Sequence, residues 1–538
     1  MLRPDGSRSH VDRMGTSVQI IRNILSNWGA FAIGAIIQFL MMPFLIHRLG
    51  DTQYGIWVLI ISFTGFLGLF DFGVSGSVVK YVAEFRAKKD TDGLNRVCSS
   101  AYYVYLAAGV LAFLVSIAMA VGFVQNFKIP QEEISVARWV TLIVGFQIGL
   151  TLPLGFFTGY MRGMQRYDHV AGISLVILFV RSLVIVALVL MGYRLVAIAL
   201  VHLVSTAVGG TIRAVYVFRT NPDLRLRLSL ISRDKLAMVG RYSVLIFLYF
   251  MATRFIFSAG SLVIGYYLSA AAITLYAIPQ RLVDELRVVI MSTGVLQPTV
   301  SHLNTQGQNA KVQKLLVNGT KYSMMAVLPI AVAYLVVGDV FISLWMGARY
   351  AAACYGVLVV LTCAVAANIS QFTSTQILQG IAKHGITAYV TIFEAAVNLA
   401  LSIVLVRKYG IIGVAVGTLI PMVCTNLVVI PWYTCRAVGL SIPRFFREGL
   451  LTPCVPAIIF GVLLSGASRV IKIDNWMEFV TVLVVCLACY AFSAWHLCLA
   501  RQERIERWKE LSTAVRSGST VIRSLVLSMR SRPEKSLP

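Results

Sequence analysis

Nearly the whole chain is a succession of apolar stretches of twenty or more residues, separated by short polar joints. In hydrocarbon, only a helix satisfies all its backbone groups within such a stretch, so the pattern dictates an all-α polytopic membrane protein. We read about fourteen transmembrane spans, at 24–46, 55–79, 97–123, 137–159, 170–191, 195–217, 242–264, 271–297, 322–345, 353–379, 387–406, 411–432, 450–468 and 476–499. Composition agrees, since 58% of the 538 residues are apolar and 13% charged, against about half and a quarter in soluble domains. Soluble enzymes and nucleic-acid binders are thereby excluded.

The basic balance, 47 Lys plus Arg against 23 Asp plus Glu, is topological. With the N-terminus in the cytoplasm, the inner segments carry 33 Lys/Arg and the outer joints 8. By the positive-inside rule both termini are then cytoplasmic, in an inner (plasma) membrane. Part of the excess attracts anionic lipid headgroups, so membrane lipids are expected partners and nucleic acid is not. No cleaved secretory signal is expected, and Met14 offers an alternative start, because residues 1–13 add nothing the fold needs.

The joints are too short for a folded module; the longest outer one, near 124–136, has about a dozen residues. In the inner joint 218–241, Leu224, Leu226, Leu228 and Leu230 alternate with polar residues, which predicts an extended segment on the membrane surface. Beyond Arg501 a charged helix candidate and a Ser- and Arg-rich end predict a mobile or interfacial tail. An internal repeat is also visible. Asp71-Phe72-Gly73-Val74 with Tyr102 pairs with Ser292-Thr293-Gly294-Val295 and Tyr322, and Arg162-Gly163-Met164-Gln165-Arg166 pairs with Gln379-Gly380-Ile381-Ala382-Lys383. The offset covers six spans, an even number, so the copies are parallel. The expected organisation is an N-terminal segment 1–23, an N-lobe 24–217 (spans 1–6), a linking joint 218–241, a C-lobe 242–432 (spans 7–12), spans 13 and 14 within 433–499, and a basic tail 500–538.

Over residues 20–435 the chain resembles the polysaccharide-transporter branch of the multidrug/oligosaccharidyl-lipid/polysaccharide exporter superfamily. The resemblance rests on Arg22-Asn23, Pro43, Leu49-Gly50, Tyr54-Gly55-Ile56-Trp57, Asp71-Phe72-Gly73, Gly163-Met164-Gln165-Arg166-Tyr167, Ile264-Gly265 with Tyr276, Gln297-Pro298, Leu344-Trp345-Met346-Gly347 and Gly410-Ile411-Ile412-Gly413. It implies two six-helix lobes around a cavity lined mainly by spans 1, 2, 7 and 8, worked by alternating access. It implies a polyprenyl-diphosphate-linked oligosaccharide as cargo, with the last two spans sheltering the lipid tail. Polysaccharide assembly enzymes are candidate partners. Where many relatives carry an acidic residue in span 7, this chain reads Ser258-Ala259-Gly260-Ser261-Leu262, so no ion-coupling role is carried over to that stretch.

Charges inside the spans are the candidate site. A central arginine costs about 2.5–3.5 kcal/mol to insert, so Arg181, Arg254, Arg281 and Arg287 must face protein or water. Arg254 and Arg281 are the first candidates for the diphosphate, because a guanidinium offers forked donors to such an anion. Arg287 comes next, and Arg181 equally fits a brace within the N-lobe. Arg281 reaches Asp284 and Glu285 at i+3 and i+4, so a self-neutralised patch between helices is the competing reading. Asp71 and Glu394 are the other deep carboxylates and the candidates for ion coupling; a hydrogen-bonded kink and a helix–helix contact are their structural alternatives. The glycine pairs 145/149, 159/163 and 413/417 are read as packing. The sequence holds no Walker A run, metal-ligand cluster or catalytic triad, so no cofactor, no metal and no enzymatic activity are expected. Two other readings stand beside the carrier: a cation-coupled drug exporter, which the arginines oppose, and a membrane-embedded glycan polymerase or ligase, which lacks an outer catalytic loop.

Overall fold

The computed structural model describes residues 6–71, 74–232, 234, 244–291, 296–383, 385–499 and 503–505, with side chains from residue 33 onward except at 123, 235–250 and 288–295. Phe72-Gly73 and Ser292–Val295 of the repeat, and the tail beyond Ile505, lie outside them.

Helix follows helix throughout the described residues. They are α1 (Gly6–Thr64), α2 (Val74–Ala87), α3 (Thr91–Ala118), α4 (Gln131–Gly163), α5 (Tyr167–Leu190), α6 (Leu195–Thr220), α7 (Val244–Tyr267), α8 (Ala270–Met291), α9 (Leu296–Thr305), α10 (Asn309–Met346), α11 (Ala348–Ser370), α12 (Phe372–Gly380), α13 (Gly385–Cys424), α14 (Ile430–Val438), α15 (Thr452–Val470) and α16 (Trp476–Leu497). Among the described residues, ten segments are long and apolar enough to cross a membrane. Two of them, around Gly50 and Gly410, are of double length, and α7 and α8 complete about fourteen spans.

Sequence chemistry explains the breaks. Gly50 (φ 82°) and Gly410 (φ 59°) take backbone conformations that only glycine adopts cheaply, and they fold α1 and α13 into two limbs each. Asp90 caps α3 through the Gly93 amide at 2.8 Å. Asn475 caps α16 through the Glu478 amide at 2.9 Å, and Glu478 returns the bond to the Asp474 amide at 2.8 Å.

Several expected joints are corrected. The second span is not one helix: it leaves α1 at Thr64, tightens into a 3-10 turn over Gly65–Asp71, and resumes as α2. The expected inner loop 298–321 is mostly α9 and the first turns of α10. The segment after α6 is extended, as expected, and is anchored to α3. Asn95 and Ser99 of α3 hydrogen-bond the backbone of Asp223, Arg225 and Arg227 at 3.0–3.2 Å, while Leu224 is buried and Leu226 packs on the same core. Extended backbone needs partners, and here polar side chains of a helix supply them.

The described residues pack as two compact units: Met1–Glu285 with Trp345–Val365 and Ala382–Val428, and Leu286–Leu344 with Ala366–Ile381 and Val429–Pro538. The first has a core of α2, α3 and α4 side chains, among them Val82, Val97, Tyr105, Phe156 and Tyr160. The glycine pairs let these helices approach. A Cβ on Gly149 would fall 2.8 Å from the Gly109 carbonyl, and one on Gly145 would meet the Ser116 side chain at 2.0 Å. In the second unit, Phe460 and Tyr490 pack α15 on α16, and the Tyr490 hydroxyl donates to the Met325 carbonyl of α10 at 2.7 Å.

The repeat is written in local geometry. A Cβ at Gly163 would meet Val82 at 2.7 Å and the Val79 carbonyl at 3.0 Å; at Gly380 it would meet Val300 at 2.7 Å and the Gln297 carbonyl at 3.0 Å. Gln165 (φ 60°) and Ala382 (φ 58°) follow in the same left-handed turn, as do Lys89 (φ 55°) and Gly307 (φ 67°), and Gly192 (φ 90°) and Gly410 (φ 59°).

Candidate functional site

α7 is apolar almost throughout, yet Arg254 near its middle is exposed. Its guanidinium lies against the start of the 3-10 turn, where a Cβ on Gly65 would come within 2.2 Å of Nη2. Glycine at 65 is therefore what admits this side chain. The backbone of α1 touches α8 nearby: a Cβ on Gly55 would overlap the Ala270 carbonyl, and Thr274 donates to the Asp51 carbonyl at 2.6 Å.

From α8, Arg281 pairs with Glu285 at 2.5 Å and keeps 30% of its side chain exposed. Asp284 accepts from Gln280 at 3.2 Å. Arg254 of α7 thus borders α1 at Gly65, and α8, which meets α1 at Asp51 and Gly55, carries Arg281, Asp284 and Glu285. Neither arginine is sealed into a dry ion pair, because each keeps exposed surface. Such a group can present forked donors to an anion while its carboxylate neighbours limit the cost of its charge. Arg287, half-buried and itself partnered, falls in the second compact unit.

Arg181 of α5 has a different neighbourhood. Its charge reaches His202 of α6, whose ring lies 5.1 Å from Trp57. Asp71 ends the 3-10 turn, where it accepts the Tyr105 hydroxyl of α3 and the Ser75 amide at 3.3 Å. Glu394 is 5% exposed and accepts from Thr425 and from Asn426, the latter at 3.3 Å, where α13 gives way to a π-helical turn over Thr425–Val429. Both carboxylates sit where helix geometry changes, and both are held by hydroxyl donors. Among the described residues no group of three or more His, Cys, Asp or Glu could hold a metal ion.

One cluster went unread in the sequence. Asp51, just past Gly50, accepts the Tyr350 hydroxyl at 2.6 Å and the Arg349 guanidinium at 2.9 Å. Trp345 donates to the Phe39 carbonyl at 3.1 Å and stacks on the Phe39 ring at 4.4 Å. Lys128 donates through its backbone to Gly265 and through Nζ to Tyr267, at 2.9 and 2.7 Å. All of these tie residues 39, 51 and 128 to residues 265–267 and 345–350. They come from segments far apart in the chain, and Gly50 and Trp345 stood out in the sequence only through the family resemblance.

Comparison with known proteins agrees with this architecture. A protein named for O-antigen transport in Shigella flexneri is 23% identical over 437 residues, covering 78% of this chain and 98% of that protein. A protein named as a low-salt glycan biosynthesis flippase in Haloferax volcanii is 20% identical, covering 86% and 92%. Among solved structures, the lipid II flippase MurJ in an inward closed conformation superposes with a TM-score of 0.68 at 14% identity, covering 88% of this chain and 98% of that one. An inward-facing multidrug transporter of the MATE family superposes at 0.61, with 17% identity, covering 75% and 98%. The fold is therefore the two-lobed, all-α membrane fold of these structures. A family profile described as polysaccharide biosynthesis protein matches residues 48–355, more than half of the sequence, and this chain belongs to that family.

Proposed function

We propose that the protein is a secondary carrier that flips a polyprenyl-diphosphate-linked oligosaccharide from the cytoplasmic to the outer leaflet of the inner membrane, by alternating access, for surface polysaccharide assembly. The observations that carry this reading are the exposed Arg254 of α7, whose guanidinium lies against Gly65, and Arg281 of α8, which keeps 30% of its side chain exposed. A diphosphate needs several strong donors at once, and two guanidiniums supply them. The names of the Shigella and Haloferax relatives and of MurJ support a lipid-linked glycan. Two cations facing the site disfavour a cationic drug as cargo. The ties around Asp51, Lys128 and Trp345 fit a gate closed on the outer side, the state in which cargo loads from within.

Drive comes from an ion or proton gradient in this reading, with Asp71 and Glu394 as the carboxylates that change charge between states. One charge crossing a potential of about 100 mV supplies ~2.3 kcal/mol, enough to bias such a cycle. The test is glycan export in cells that depend on this chain. Arg254→Ala and Arg281→Ala should each abolish export at normal protein levels, and lysine should restore only part of it. Full export by the double alanine variant would remove the arginines from cargo binding.

A further inference from the structure

A second polar cavity lies within the second compact unit, well apart in sequence from the arginines of α7 and α8. It has a volume of about 520 Å³ and is lined by Lys314 and Lys321 of α10, Arg444 and Glu448 before α15, and Glu503 after α16. That volume lies within the range of small-molecule sites, about 300–1,000 Å³.

Its chemistry is that of an anion site already holding a carboxylate. Lys321 is nine-tenths buried, with 9% of its side chain exposed, and Nζ meets the Glu503 carboxylate at 3.1 Å. Lys314 is exposed at the rim. Arg444 reaches both oxygens of Glu448 through Nε at 3.2 Å and is itself more than half exposed, so its remaining N–H groups are open to a ligand. Three cations and two carboxylates line the space, and withdrawal of Glu503 alone leaves a net charge of two positive units.

Position gives the ligand class. Lys321 immediately precedes the apolar run 322–345, and the wall residue Thr452 opens α15. From Leu451 an exposed apolar stripe descends α15 through Val455, Ile458 and Val462, spaced 4, 3 and 4 residues apart on one helix face. A polar head in the cavity with hydrocarbon along that stripe is the shape of a membrane lipid. Basic pockets between helices on the cytoplasmic side suit phosphate headgroups.

We propose that this cavity binds the phosphodiester headgroup of an anionic glycerophospholipid of the inner leaflet, and that Glu503 competes with the lipid for Lys321. The tail following α16 is thereby coupled to the lipid: headgroup in, Glu503 out. The site is independent of the cargo arginines, so its failure leaves the carrier assignment untouched.

The test uses the purified full-length protein in detergent, titrated with phosphatidylglycerol or phosphatidylcholine, with retained lipid counted by native mass spectrometry. Phosphatidylglycerol should be retained in preference to phosphatidylcholine. The rim variant Lys314→Gln/Arg444→Gln, which touches no buried group, should weaken retention about tenfold, the loss of one charge-assisted hydrogen bond. Glu503→Gln should do the reverse and strengthen it several-fold, whereas a purely structural ion pair would give no gain. Equal retention of the two lipids, or unchanged or weaker phosphatidylglycerol retention in Glu503→Gln, overturns the proposal. Millimolar inorganic phosphate should not displace the lipid; full displacement would assign the site to free phosphate and overturn the lipid reading.

Discussion

Gly65→Ala is the most pointed perturbation of the cargo site, because it replaces one hydrogen by a methyl group without changing any charge. The new Cβ would sit 2.2 Å from Nη2 of Arg254, 3.1 Å from Cζ and 3.2 Å from Nε. Ordinary contact begins near 3.4 Å, so Nη2 must withdraw by at least 1.2 Å, the difference between the two distances. A flexible side chain makes that move cheaply, and stability should change by no more than about 1 kcal/mol. A forked hydrogen bond to phosphate does not survive such a shift. Losing one bond to a charged group costs about 1.5–3 kcal/mol, or roughly a ten- to hundredfold weaker grip on the cargo. Gly68→Ala is the control, since a Cβ there meets nothing within 4 Å in the same turn. The assay is transbilayer movement of lipid-linked oligosaccharide in proteoliposomes, alongside thermal unfolding of each variant. Equal transport by Gly65→Ala and Gly68→Ala would refute the placement of Arg254 in the cargo path. So would a Gly65→Ala defect that tracked loss of folded protein.

Three further outcomes follow from the geometry. Gly163→Ala and Gly380→Ala each press a Cβ to 2.7 Å from a valine and 3.0 Å from a carbonyl, so each should cost about 1–3 kcal/mol in unfolding measurements; a cost at only one site would deny that the two turns are equivalent. Tyr350→Phe removes a hydroxyl 2.6 Å from Asp51 and should lower thermal stability more than Arg349→Ala, whose 78%-exposed guanidinium is worth less than about 1 kcal/mol; the opposite order would put the tie in the ion pair. Asp71→Asn and Glu394→Gln separate coupling from scaffold, because each amide can keep its acceptor oxygen for Tyr105 or Thr425 while losing its charge. Unchanged dependence of transport on the ion gradient in both would leave these carboxylates with a structural role alone.

The helices were legible because each span must satisfy its own backbone within one apolar run, a constraint carried by consecutive residues. The bends at Gly50 and Gly410 belong to the same local code. Arg281 and Glu285 were legible as a pair because helical spacing alone brings i and i+4 together. Contacts between distant segments were not. Thr274 and Asp51 are 223 positions apart, and Tyr350 and Asp51 are 299 apart, with nothing in either joint to announce the other. The role of Gly65 was hidden for the same reason, since it depends on a side chain delivered from α7. The extended form of segment 221–232 was legible in its alternating leucines, but its anchoring was not, because Asn95, Ser99 and Ser100, which hold it, look like ordinary helix polar residues. The repeat was faint as sequence and plain as geometry, because left-handed turns recur where residue identity does not.

The central claim is that the cargo is a diphosphate-linked glycan. The most direct measurement reconstitutes the purified protein in liposomes with a polyprenyl-diphosphate oligosaccharide in both leaflets and follows its exposure to a membrane-impermeant glycan-modifying reagent. The account predicts gradient-dependent exchange between leaflets for the wild type, its loss in Arg254→Ala/Arg281→Ala, and no transport of a cationic dye. Dye transport with the glycan lipid left in place would contradict it.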